Sequence, residues 1–363
     1  MTRNNIIGLV LILLLAACAP QAQATSLPAV VATNLPSTVP TLVPTVAPTI
    51  PPTALPLTKL NACYSAASPT QAAAWYAQEK GLFQKYGLDI ELTFIASGSK
   101  AVAALISGDM DICQVAISGI VNAVAAGKAV VFIAGLVNTY PGSLFVKADI
   151  TKAEQLKGRI IAVSQPGSAA ASATSLVLRQ LGLDPTKDVT YLSVGSDGER
   201  FTALVSGQVD GALLYPPATL KAREKGFTNL YDLGKSKLPY QLTGIGTSQA
   251  FIKKDRSAVT AFVKAMAEAV ALMKKDPDGT KAVLAKYLEL DPVTEAANLE
   301  ETYQEIILNG FESKPYPTNE GIQTVIDSLV ADNPDAARVT PAQTLDLSIL
   351  KEIEQSGFFN QLP

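Results

Sequence analysis

The chain has 363 residues, 48% hydrophobic and 17% charged, which is enough for two compact lobes and too apolar for a disordered protein. With 29 Lys+Arg against 32 Asp+Glu the net charge is −3, so no basic surplus points to nucleic acid, and none is expected as a partner. Histidine is absent, which removes Ser-His-Asp and Cys-His catalysis, His-ligated zinc or haem and any imidazole pH switch. Three cysteines are too few for a disulfide scaffold or a four-cysteine metal site. No metal and no other cofactor is expected.

In chain order, Arg3 is followed by an uncharged apolar run over residues 6–17. At about 12 residues it falls short of the roughly 20 that span a bilayer and has the length of a signal-peptide core. It ends in Leu15-Ala16-Ala17-Cys18, which resembles the lipobox of bacterial lipoproteins. The resemblance implies that residues 1–17 are cleaved and that Cys18 is lipidated, anchoring the protein to the extracytoplasmic face of the cell membrane. An ordinary signal peptide that ends near a cysteine is the plainer alternative. Residues 18–58 read as a tether: no charge occurs over residues 4–58, and prolines fall at 36, 40, 44, 48, 52 and 56. Proline fixes φ and lacks an N–H, so this stretch can join neither a helix nor a sheet core. As a polyproline-II spacer it would reach on the order of 120 Å, and an O-glycosylated stalk would do the same mechanical work.

The remaining residues alternate strands and helices. Residues 60–64 form a short apolar strand, residues 71–80 a helix closed by Gly81, and residues 89–95 a strand of period two. A helix over 100–107 and strands over 110–116, 130–137, 143–147, 159–164, 189–194 and 209–215 continue the series. Residues 257–275 give the clearest helix, with Val259, Phe262, Val263, Met266, Val270 and Met273 on one face and Lys274-Lys275 at its end. This alternation predicts an α/β fold with largely parallel sheets. Residues 104–111, Ala-Leu-Ile-Ser-Gly-Asp-Met-Asp, recur 99 positions later as Ala-Leu-Val-Ser-Gly-Gln-Val-Asp. Upstream, residues 94–99 resemble 192–196, so a strand–loop–helix–Gly–strand unit occurs twice and two similar lobes are expected. Asp111 and Asp210 read as turn-closing residues rather than ligands.

Residues 77–83 (Ala-Gln-Glu-Lys-Gly-Leu-Phe) and 87–92 (Gly-Leu-Asp-Ile-Glu-Leu) resemble the opening of type 2 periplasmic binding proteins, in the nitrate/sulfonate/taurine and thiamine-pyrimidine group. Residues 156–163, 203–210 and 251–255 resemble later landmarks of that group, so the likeness runs over roughly 60–275. It implies two Rossmann-like lobes joined by two crossovers, a solute trapped between them, and a permease and an ATPase as partners of a monomeric importer component. Lobe I would hold 59–138 and 244–363 and lobe II 140–242, with crossovers at 138–141 and 241–244. No G-x-x-x-x-G-K-[ST] loop occurs, so the energy must come from partner chains.

In open α/β sheets ligands bind beyond the strands' C-terminal ends, where helix N-termini present free N–H groups. The segments expected there are hydroxyl-rich, and the candidate ligand-binding residues are Ser65, Ser68, Trp75, Ser97, Ser99, Ser118, Asn138, Tyr140, Gln165, Gly167, Ser168 and Tyr215. Each serine could equally be a helix cap, and Trp75 could equally be core. Apart from Lys100 these segments carry no charge, which argues against amines. A neutral aromatic vitamin or precursor, such as a pyrimidine or flavin, is the expected solute, with a sulfonate or nitrate as the alternative. An enzyme is not expected, since the fold's pyrimidine-forming synthases use a histidine that this chain lacks. A ligand-sensing lipoprotein remains a rival to an importer subunit. Cys63 and Cys113 fall in neighbouring strands; free buried thiols are expected first, because cross-links between adjacent parallel strands fit disulfide geometry awkwardly, with a disulfide as the alternative.

Overall fold

The computed structural model describes residues 56–236 and 238–363. The leader, Cys18 and residues 18–55 of the tether lie outside the described residues. Two five-stranded sheets form the frame. The first is built from β1 (Thr58–Tyr64), β2 (Leu88–Phe94), β3 (Ile112–Ala116), β4 (Val130–Val137) and, much later in the chain, β10 (Thr243–Ser248), in the order β2-β1-β3-β10-β4. The second comprises β5 (Ser143–Val146), β6 (Arg159–Val163), β7 (Val189–Ser193), β8 (Gly211–Leu214) and β9 (Thr228–Asp232), in the order β7-β6-β8-β5-β9. Among the described residues no helix is long and apolar enough to cross a membrane.

Both sheets are mixed, with four strands one way and one against them. The opposed strand is β10 in the first sheet and β5 in the second. The reason is where the chain changes sheets. It leaves β4 at Val137 to begin β5 at Ser143, and leaves β9 at Asp232 to begin β10 at Thr243. A strand that starts at the edge where its neighbours end must run against them. Gln241, wholly buried, donates to the carbonyls of Val137 and Thr243, and the Tyr140 and Tyr240 rings meet edge-on at 5.1 Å, so the two crossovers pack on each other.

The 99-residue repeat is kept in register by the fold. Asn61 in β1 and Ile160 in β6 each donate their N–H to a carboxylate, Asp111 and Asp210. The same aspartates donate their own N–H back to the Asn61 and Ile160 carbonyls. Both aspartates are therefore structural ties between adjacent strands, as expected. Cys63 pairs with Cys113 across β1 and β3, and the repeat-related Ala162 pairs with Ala212 across β6 and β8. The two cysteines are joined in a disulfide with Cα atoms 4.5 Å apart, which corrects the expectation of free thiols. Parallel neighbours in register come close enough to bridge here, within the roughly 4.4–6.8 Å that such bonds use.

Helix Arg256–Lys275 buries the face its periodicity predicts: Val259, Phe262, Val263, Met266, Val270 and Met273 are all essentially inaccessible. Phe262 stacks on Phe83 at 5.2 Å, fastening this helix over the first sheet. Strand β10, with sequence Thr-Gly-Ile-Gly-Thr-Ser, escapes sequence periodicity because two of its six residues are glycine. A Cβ at Gly244 would fall on the Ala134 carbonyl oxygen and the Phe132 ring, so β10 can pass between β3 and β4 only with glycine at this position.

Candidate functional site

A cavity of about 400 Å³ lies between the two sheets. Its walls come from corresponding positions of the repeat: Ser65 with Ser164, Ala96 with Gly195, Ser97 with Ser196, Gly98 with Asp197, and Ala116 with Tyr215, each pair 99 residues apart. Both lobes thus offer the same strand-end and helix-start segments to one space, as the ligand rule for open α/β sheets requires.

Six of the candidate residues line it: Ser65, Ser68, Ser97, Gln165, Ser168 and Tyr215. The other six do not. Trp75 is wholly buried in helix Ala72–Glu79, stacked on Tyr287 at 4.9 Å, so the core alternative is the correct one. Tyr140 is also buried, stacked at 5.0 Å on Tyr215, which it backs. Ser118 is buried within helix Ile117–Ala125, and Ser99 sits on helix Gly98–Ser107 away from the cavity lining. Asn138 donates to the Tyr316 carbonyl at 2.8 Å. Gly167 takes a left-handed φ of 69°, and its carbonyl accepts from Asn122 Nδ2.

The charge-free rim is also corrected: Asp197, Glu199 and Arg200 line the cavity. Arg200 gives four of its five N–H groups to the protein. Its Nη1 donates to the Gly195 carbonyl at 2.8 Å, its Nη2 to Asp197 Oδ1 at 2.8 Å, and Nε and Nη2 reach the Leu213 carbonyl at 3.4 Å. Asp197 Oδ1 also accepts from the Tyr215 N–H. Burial pushes the Asp197 carboxyl up to about 6 against the opposing pull of Arg200. Glu199 closes a capping box with Ser196, and those hydrogen bonds hold its carboxyl below the usual range. The signal for this cluster is present in the sequence as Ser196-Asp197-Gly198-Glu199, a capping box at the repeat mate of Ser97.

The helix ends facing the cavity differ between lobes. In lobe II, Ser168 accepts from the Ala171 N–H and Ser196 from the Glu199 N–H, so both helices are capped by their own side chains. In lobe I, neither Ser97 before helix Gly98–Ser107 nor Ala116 before helix Ile117–Ala125 supplies a side-chain cap. Ser97 sits at φ 93°, a strained backbone for a residue with a Cβ, and its buried Oγ has no partner among the described residues. Behind them, wholly buried Gln114 donates to the Thr70 carbonyl at 2.8 Å and accepts from the Ala74 N–H, holding the segment that carries Ser68 to Gln71. Apolar surface completes the walls: Phe94, Leu242, Tyr215 and several alanines.

The lobes touch on both flanks of the cleft. On one, Lys221 of helix Ala218–Glu224 pairs with Glu295 at 2.7 Å, and Arg223 pairs with Glu301. On the other, Asn122 links Gly167 to Asn333, and Arg179 donates to the Asp327 carbonyl at 2.9 Å.

Comparison with known proteins agrees with this architecture. The binding protein YtlA of Bacillus subtilis (strain 168) is 25% identical over 65% of this chain and 73% of its own length. An ABC transporter periplasmic binding protein of Brachyspira hyodysenteriae is 24% identical over 69% of this chain and 73% of its own. The solved alkanesulfonate-binding protein SsuA of Xanthomonas axonopodis pv. citri, bound to MOPS, superposes with a TM-score of 0.67 at 21% identity, covering 81% of this chain and 99% of that one, and so shares the fold. The family model described as NMT1/THI5 like matches residues 68–280, which takes in every strand of the two sheets except β1 and most of the cavity lining, and the chain therefore belongs to the NMT1/THI5-like family of proteins with the periplasmic-binding-protein fold.

Proposed function

We propose that this protein is the extracytoplasmic solute-binding component of an ABC importer, that it captures a small neutral heteroaromatic solute between its lobes, and that it delivers the solute to a membrane permease driven by an ATPase. One observation carries the reading: the cavity is walled by repeat-related segments of both lobes, so a solute held there bridges them. Such a solute favours the closed arrangement by its differential affinity for it. The chemistry of the walls supports a neutral ring. Phe94 and Tyr215 put aromatic rings in the lining, each backed by a stacked tyrosine, and an aromatic pair is worth about 0.5–1.5 kcal/mol beyond area burial. The guanidinium in the wall is paired with Asp197, and two carboxylates against one guanidinium leave a formal −1 that opposes an anion. Both relatives named above as binding proteins fit a carrier rather than an enzyme.

The same reading keeps the chain monomeric and lipid-anchored through Cys18, with residues 18–58 as tether and each lobe bounded at the two crossovers. Several acyl chains at about 0.8 kcal/mol per buried CH₂ hold firmly. Replacing Cys18 with Ala should release the protein from the membrane fraction, and intact-mass spectrometry should then show no acyl increment.

Thermal-shift screening against vitamins, pyrimidines, flavins, sulfonates and oxyanions tests the solute class. A ligand at 100 times its Kd should stabilise the protein by about 2.7 kcal/mol. A second reading, a sulfonate- or nitrate-type anion, is favoured by the uncapped lobe I helix ends and the likeness in fold to SsuA. Shifts with sulfonates or nitrate alone would select it.

A further inference from the structure

Resting on the proposed function, we infer that the solute is a flat dipolar molecule held in one orientation, with a hydrogen-bond acceptor edge against the lobe I helix start at Ser97 and Gly98, and an N–H donor edge against Asp197 of lobe II. The inference follows from the broken symmetry of the repeat. Gly98 and Asp197 occupy equivalent positions 99 residues apart on opposite walls of the cavity. One wall carries a helix start with no acidic residue in its first turn, the other a helix start filled with carboxylates.

On the lobe I side, the first bonded N–H of helix Gly98–Ser107 is that of Ala101, which reaches the Ser97 carbonyl. The N–H groups of Gly98, Ser99 and Lys100 have no protein acceptor among the described residues, as the geometry of a helix start dictates. Beside them the Ser97 Oγ is buried and unpartnered. Donors in surplus with the positive end of a helix dipole call for an acceptor.

On the lobe II side the need is reversed. The Asp197 side chain is 10% exposed, and both of its protein bonds fall on Oδ1. Its Oδ2 takes part in no hydrogen bond among the described residues while the residue lines the cavity. A carboxylate oxygen so placed accepts, and it repels any oxyanion brought near it. Arg200 does not reverse that repulsion, because its charge is paired with Asp197 at 2.8 Å and Glu199 leaves this wall with a formal −1. Asp197 is thus the residue that separates N–H donors from anions.

The test uses three probes with the purified protein by ligand-observed NMR: 4-pyridone, with its carbonyl opposite its N–H; N-methyl-4-pyridone, which keeps the acceptor and loses the donor; and benzenesulfonate. Wild type should bind 4-pyridone at least tenfold more tightly than its N-methyl form and should leave benzenesulfonate free. Asp197→Asn should erase most of the N-methyl discrimination and gain benzenesulfonate, since the Arg200 charge then has no paired carboxylate. Ser99→Asp places a carboxylate in the first turn of the lobe I helix and should weaken both pyridones at least fivefold without lowering Tm. This second variant keeps the test sound if Asp197→Asn does not fold. Equal binding of the two pyridones would overturn the oriented-dipole inference and leave the neutral-ring function standing. Binding of benzenesulfonate alone, or of no neutral probe at ten millimolar, would overturn both.

Discussion

Replacing Cys63 and Cys113 together with alanine isolates what their bond contributes. The bond closes a loop with a sequence separation of 50, for which the chain-entropy relation gives about 4 kcal/mol at 25 °C. Packing should add little to that loss, because the molecule contains its own control. Ala162 and Ala212 sit at the repeat-related positions, pair in the same parallel register and are wholly buried, so an alanine pair fits between two such strands. For a protein of this size about 2 °C of Tm accompanies each kcal/mol, so the double variant should melt about 8 °C below wild type in calorimetry. Adding dithiothreitol should lower the wild-type Tm towards that of the variant and leave the variant unmoved. A double variant within about 2 °C of wild type, or a wild-type Tm indifferent to reductant, would refute the reasoning. So would modification of Cys63 and Cys113 by a thiol reagent in the denatured, unreduced protein.

Gly244→Ala should give no soluble folded protein, because its Cβ would meet backbone between β10 and β4 inside the first sheet, whereas Gly108→Ala, left-handed but open, should fold and lose only about 1 kcal/mol in denaturant titration. The Asp197 carboxyl, raised to about 6 from 3.8, weakens the fold where it is charged. Stability from this group therefore increases as pH falls from above 6 towards 4, opposite to the ordinary carboxylate trend. The Tm of wild type relative to Asp197→Asn should rise over that window, and a constant or falling difference would contradict the assignment. Replacing Glu295 and Glu301 with Gln removes two ion pairs across one flank of the cleft, each partly exposed and worth about 0.2–1 kcal/mol. Small-angle scattering of the unliganded variant should show a larger radius of gyration than wild type, at unchanged Tm within about 2 °C.

Half of the candidate site is legible in the sequence, and the other half is hidden for one shared cause. Ser65, Ser97 and Ser168 follow predicted strands, and strand ends in this fold point at the cleft. Trp75 and Tyr140 stand out for their rings, but a ring's chemistry does not say which way it faces, and both point into packed cores. Asp197, Glu199 and Arg200 escape notice because carboxylates at a helix start read as a surface cap. Only the folded molecule shows that this cap closes a cavity wall and that Arg200 is turned inward.

Local pattern is enough for the α/β alternation, the buried stripe of helix Arg256–Lys275 and the duplication at an offset of 99, since each depends on neighbours within a turn, a strand or a repeat. The reversed strands β5 and β10, the bond between Cys63 and Cys113 and the opposite polarity of the cavity's two walls depend on partners tens of residues away or more. Those partners meet only when the chain crosses twice between sheets, and no short-range regularity of the sequence records where such distant surfaces face one another.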